Sequence, residues 1–200
     1  MSGFIEFYFD FSSNYSYIVH KDIVALADKH GLTVHWKPIA LGAIFKNLGH
    51  PMPEAGSAKQ KYIWHDTMRS AALAGLPYRW PDPFPVNSIP AARGAYWILD
   101  TAPEKITDYA ATVFTTIFST SQDISQPDTL RKIVDGLHLD SDAFLTAVQD
   151  ETYKARLKQE TAAAQDKGVF GGPIFFYGNE MFWGADRLAA LDAHIAAHKN

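Results

Sequence analysis

The chain has 200 residues, of which 47% are apolar and 20% charged, with a net charge of −4 and no cysteine. That length holds one large core, or one domain with a sizeable insertion. The missing cysteine excludes disulfides, zinc–thiolate sites and a cysteine nucleophile, and the acidic balance gives nucleic acid no basic surface to bind.

The start, Met1-Ser2-Gly3, carries no basic residue before its apolar run, so no secretory signal is expected. No apolar stretch approaches the ~20 residues of a membrane span, so the expected compartment is the cytoplasm. Phe4 to Phe11 is short and apolar on both faces, as a buried central strand is. Ser12, Ser13 and Asn14 follow and are helix N-cap types. Tyr15, Ile18, Val19, Ile23 and Leu26 then recur at helical spacing, and Gly31 suits the stop. Leu32, Val34 and Trp36 alternate as a strand does, ended by Pro38. This opening reads as a βαβ unit with a parallel pair.

Helical periodicity dominates the middle, over 58–75, 88–100, 103–119, 126–135, 140–149 and 151–166. A structured loop interrupts it, with prolines at 77, 81, 83, 85 and 90. Near the end, Gly171-Gly172-Pro173 marks a turn. Ile174 to Tyr177 and Met181 to Trp183, separated by Gly178-Asn179, form a hairpin, and Asp186 opens a last helix. A βαβ start and a ββα finish around a helical block give an α/β, thioredoxin-like domain with a large all-helical insertion. The expected boundaries are 1–40 with 167–200 for the thioredoxin-like part, and 41–166 for the insertion.

Three places carry candidate chemistry. Ser13 sits where strand gives way to helix, a position whose unpaired N–H groups stabilise an anion. Its hydroxyl lacks an adjacent base and suits donation to another molecule's thiolate; Ser12 or Ser13 also serves simply as an N-cap. Gly172-Pro173 precedes the third strand, where this architecture places a cis proline opposite the first helix, and Gly172 then offers its backbone to a peptide-like ligand; a plain loop is the other reading. Asp186 begins a helix and could meet an ammonium group, or act only as a cap. His194 and His198 are four apart but read as surface histidines, so no metal site is expected.

DFSSNYSY (Asp10–Tyr17) resembles the Asp-x-x-Ser-Pro-[Tyr/Phe]-Ser-aromatic opening of 2-hydroxychromene-2-carboxylate isomerases and kappa-class glutathione transferases. FGGPIFFYGNEMFWGADRL is similar to that family's ending, and KNLGHPMP, then Lys59, Tyr62 and Arg69, then FPVNSIPAAR follow its inserted region in order. The resemblance spans essentially the whole chain. It implies that Ser13 is the catalytic serine contacting the sulfur of bound glutathione. It implies that Gly172 and Pro173 pair with the cysteinyl backbone, that Ala185 and Asp186 hold the γ-glutamyl end, and that His50 and Lys59 face glutathione. Asn14, His50, Gly172 and Ala185 depart from the family's usual residues.

The implied chemistry is cis–trans isomerisation of an aromatic pyruvate. A glutathione thiolate adds reversibly to the conjugated double bond, the resulting single bond rotates, and the thiolate leaves. A small aromatic carboxylate would be the substrate, with Tyr62, Phe84, Trp64 and Trp97 as aromatic walls and Arg93 or Arg69 meeting the carboxylate. Two other readings stay open: a kappa-type transferase or peroxidase that consumes glutathione, and a non-catalytic module binding a peptide across Pro173. The resemblance also implies a homodimer.

Overall fold

The computed structural model describes residues 3–82 and 84–198. The chain opens with β1 (Phe4–Phe9), α1 (Asn14–Val19), α2 (Asp22–Lys29) and β2 (Thr33–Pro38). Seven helices follow: α3 (Leu41–Leu48), α4 (Ala58–Leu73), α5 (Ile89–Thr101), α6 (Ile106–Phe118), α7 (Pro127–Gly136), α8 (Ser141–Gln149) and α9 (Glu151–Asp166). β3 (Ile174–Tyr177), β4 (Glu180–Trp183) and α10 (Leu188–His198) close it, with short 3-10 turns at Pro103–Lys105 and Ala185–Arg187.

The sheet order is β2-β1-β3-β4. β1 runs parallel to β2 and antiparallel to β3, and β3 pairs antiparallel with β4. The central place of β1 explains why it is apolar on both faces. Phe7 and Phe9 stack on one face, against Trp36 and Phe175, and reach Phe114 of α6. On the other face Tyr8 joins Ile44 of α3, Ala164 of α9 and Phe176 in a second apolar cluster. Complete burial of each such phenylalanine stabilises the fold by about 2 kcal/mol. On the first face, sheet and helical block therefore share one core.

Three local features differ from the sequence expectation. The first helix is split at His20-Lys21. His20 Nδ1 lies 2.5 Å from the Tyr17 carbonyl, the acceptor that the Lys21 N–H would take in an unbroken ladder. α3 had no counterpart in the predicted elements; its Leu41 and Ile44 face the second core, and Gly49 ends it at φ +65°. Asp186 lies in the 3-10 turn before α10 rather than at its cap. The loop after α4 is fixed by Tyr17 Oη donating to Pro77 O at 2.5 Å and by a cis Phe84–Pro85 bond, whereas Pro83 lies outside the described residues. Among the described residues no helix is long and apolar enough to cross a membrane.

Candidate active site

The site starts from a buried carboxylate at the end of β1. Asp10 Oδ1 accepts from Ser12 N at 2.8 Å, Ser12 Oγ at 2.9 Å and Ser88 Oγ at 2.6 Å, and Oδ2 accepts from Leu41 N at 2.8 Å. Four donors from three segments compensate a charge that is only 3% exposed. They fix the turn, the start of α3 and the approach to α5 around one point. Its backbone carbonyl also accepts from Ser13 N at 2.9 Å.

Ser13 is the N-cap of α1, with extended φ −83° and ψ 113°. Its Oγ accepts from Ser16 N at 3.2 Å and donates to Gly172 O at 3.3 Å. The Gly172–Pro173 peptide bond is cis. Pro173 O in turn accepts from Gly184 N at 3.0 Å, which brings the segment holding Ala185 and Asp186 alongside. Residues from both ends of the sequence thus meet in one place.

A groove of about 850 Å³ opens there. Tyr15, Ile18 and Val19 of α1 form one part of its wall, and Tyr62, Asp66 and Leu73 of α4 another. Gly172, Pro173, Ala185 and Asp186 complete it with Trp183 and Arg187. Two glycines make this wall possible. A Cβ on Gly171 would stand 2.7 Å from Trp183 Nε1, and one on Gly184, whose φ is +115°, would stand 2.6 Å from Asp186 Oδ1.

The groove's charged lining is mainly acidic, with Asp22, Asp66 and Asp186 against Arg187. Tyr15 Oη donates to Asp66 Oδ2 at 2.8 Å, and Arg69 pairs with Asp66 Oδ1 at 3.1 Å. Burial, reinforced by the hydrogen bond to Asp66, pushes the Tyr15 phenol up, so it stays protonated. The Arg69 guanidinium lies 5.8 Å over the Tyr62 ring.

Of the residues singled out from sequence, Gly172, Pro173, Ala185, Asp186 and Tyr62 line the groove, and Ser13 touches it through Gly172 O. His50, after α3, and Lys59, on the first turn of α4, are exposed and do not line the groove. Phe84 packs with Trp80, which packs with Trp64, at ring separations of 4.6 and 5.1 Å. Trp97 meets Phe144 edge-on beside the core. Arg93 points to α8 instead, where Nη1 donates to Val148 O at 3.4 Å. Burial holds its guanidinium below the usual range. Asn14 is buried and accepts from Tyr78 Oη at 2.8 Å.

Ser16 and Asp10 were not singled out. Ser16 is fully buried, its Oγ has no hydrogen-bond partner among the described residues, and it lies 3.8 Å from where a Gly172 Cβ would be. The signal was the Ser13-x-x-Ser16 spacing, the same as that of the Cys-x-x-Cys pair of thiol oxidoreductases. For Asp10 it was an acidic residue closing an otherwise buried strand.

A model of the DSBA-like thioredoxin domain family matches residues 4–196. A 2-hydroxychromene-2-carboxylate isomerase from Pseudomonas putida is 31% identical over 193 residues, covering 94% of this chain and 92% of the relative. Glutathione S-transferase kappa 1 from Caenorhabditis elegans is 26% identical, covering 92% and 87%. A solved structure of a 2-hydroxychromene-2-carboxylate isomerase superposes with a TM-score of 0.87 at 29% identity, covering 97% of this chain and 95% of that one. The chain belongs to the DsbA-like thioredoxin domains and, within them, to the family of 2-hydroxychromene-2-carboxylate isomerases and kappa-class glutathione transferases.

Proposed function

We propose that this protein is a glutathione-dependent isomerase of 2-hydroxychromene-2-carboxylate or a related aromatic pyruvate. The observation that carries the reading is the contact of Ser13 Oγ with Gly172 O at 3.3 Å, beside a groove that Gly172 itself lines.

The donors and acceptors present fit glutathione. Gly172 offers backbone groups to a cysteinyl amide, as a neighbouring strand would. Asp186 offers a carboxylate to the γ-glutamyl ammonium, and Arg187, paired with Asp186 at 2.5 Å, offers a cation to the adjacent carboxylate. Ser13 offers a hydroxyl to the sulfur. Bound glutathione supplies a thiolate nucleophile to a chain that has no thiol of its own.

The protein's part in catalysis is binding and charge stabilisation. Ser13 donates to the sulfur and favours its anion over the thiol. The Asp10 network holds Ser13 at a fixed distance from Gly172, so little reorganisation accompanies reaction. Tyr62 provides an aromatic wall, and Arg69 above it provides a cation for a substrate carboxylate.

The test is spectroscopic. Isomerisation predicts a glutathione-dependent change in the substrate's ultraviolet spectrum with no glutathione consumed, and loss of that change in Ser13→Ala. A second reading, a kappa-type transferase, is favoured by the Caenorhabditis elegans relative. It predicts stoichiometric loss of glutathione with an aromatic halide. Absence of glutathione binding in a calorimetric titration would defeat both.

A further inference from the structure

A serine hydroxyl has one proton to give. Here that proton is committed: Ser13 Oγ donates to Gly172 O at 3.3 Å while accepting from Ser16 N at 3.2 Å. In that arrangement it is not available to a sulfur atom. The acceptor that holds it, the Gly172 carbonyl, is also the group a strand-like ligand's amide N–H would use.

We propose that these two events are coupled: an amide N–H pairing with Gly172 O releases the Ser13 proton, which then turns to the ligand's sulfur. The proposal rests on the glutathione reading above and deepens it. It makes the Gly172 carbonyl a determinant of which thiols are activated. A cysteinyl peptide brings the amide N–H and the sulfur on one residue, so it both frees the hydroxyl and receives it. A simple alkyl thiol brings only the sulfur and leaves the hydroxyl where it is.

The distances support an easy exchange. O–H···O hydrogen bonds are usually near ~2.7–2.8 Å, so a 3.3 Å contact is a weak hold. A carbonyl has a second lone pair, but an amide N–H at ordinary distance outcompetes so long a contact. A thiolate is a charged acceptor, and hydrogen bonds to charged acceptors are roughly twice as strong as neutral ones. The exchange needs no heavy-atom movement. The Ser16 N–H keeps hold of Ser13 Oγ, and only the O–H vector rotates.

The test compares glutathione with its isosteric ester analogue, in which oxygen replaces the cysteinyl N–H. The thiol pKa of each, bound at saturation to wild-type protein and to Ser13→Ala, is read from thiolate absorbance at 240 nm against pH. Wild type is expected to hold bound glutathione's thiol about one pH unit below its value in Ser13→Ala. With the ester, the two proteins are expected to give the same thiol pKa. Within wild type alone, glutathione is expected to titrate lower than the ester, a comparison that does not depend on the variant. An ester with the same Ser13 dependence as glutathione would overturn the coupling and leave the glutathione reading intact. Failure of wild type to bind glutathione at all would overturn both, so the two failures are distinguishable.

Discussion

Ser88 Oγ donates a 2.6 Å hydrogen bond to Asp10 Oδ1 in the interior, joining the opening turn to the approach of α5 across 78 positions of sequence. Because Ser12 and Leu41 donate to the same carboxylate, its removal strands four donors at once, those of Ser88 and Leu41 buried. Asp10→Ala is expected to cost about 3 kcal/mol of folding stability, the upper end for a buried group left unsatisfied. Asp10→Asn should cost less, since one amide oxygen still accepts. Urea unfolding of the two variants beside wild type measures both, and a stability change below about 0.5 kcal/mol for the alanine would show that the network carries no energy.

Ser13→Ala separates catalysis from scaffolding. Its loss as N-cap should cost about 1 kcal/mol, whereas its loss as donor to a sulfur anion should lower kcat by roughly 100-fold. Glutathione affinity should change only a few-fold, because Gly172 and Asp186 remain. Steady-state kinetics with calorimetric titration give both numbers; equal loss in binding and turnover would remove Ser13 from the chemistry.

Ser16→Ala should leave stability unchanged or raise it by up to about 1 kcal/mol. The hydroxyl it deletes is buried and unpartnered among the described residues, so there is no bond to lose and a desolvation penalty to recover. Thermal unfolding at a fixed pH is the measurement, and a clear fall in Tm would reveal a bond to this oxygen.

His20 sets a pH dependence whose sign is fixed. It is 1% exposed, Nε2 has no partner among the described residues, and burial pushes its pKa down to about 4 from an ordinary 6.5. Between those values the unfolded chain binds the extra proton, so stability falls as pH drops from about 6.5 to about 4, by roughly 3 kcal/mol from this residue. Denaturant unfolding at several pH values should show that slope, and His20→Gln should flatten it even if the variant is less stable throughout.

Gly94 lets α5 pack close against Phe144 of α8. A Cβ there would stand 2.3 Å from Phe144 Cζ and 2.7 Å from Tyr109 Oη. Gly94→Ala gains helix propensity but must displace a buried ring, so a net loss of about 1–3 kcal/mol is expected. A stabilised Gly94→Ala would mean that α5 and α8 separate freely.

Much of this was readable from the sequence. The hydrophobic period placed β1, β2 and the hairpin, and Gly31 and Gly178 marked turns that the backbone takes at φ +59° and +60°. Ser13 and Gly172 stood out because each sits at a junction with its own local chemistry. Relations that depend on what a side chain meets across the fold were not readable. Nothing near Arg93 in sequence announces the Val148 carbonyl, and nothing near Tyr17 announces that His20 would take its carbonyl and break a helix. α3 escaped because eight residues ended by Gly49 offer few turns of periodicity.

The pairing of β1 with β3 also sets an order of events in the cell. A ribosome releases Phe4–Phe9 long before Ile174–Tyr177, so one edge of the central strand must wait for nearly the entire polypeptide. During that wait a phenylalanine-rich edge is open to any other strand that passes, and the nascent chain is most exposed to aggregation then. Fragments that stop short of the hairpin inherit this hazard permanently and should accumulate as insoluble material.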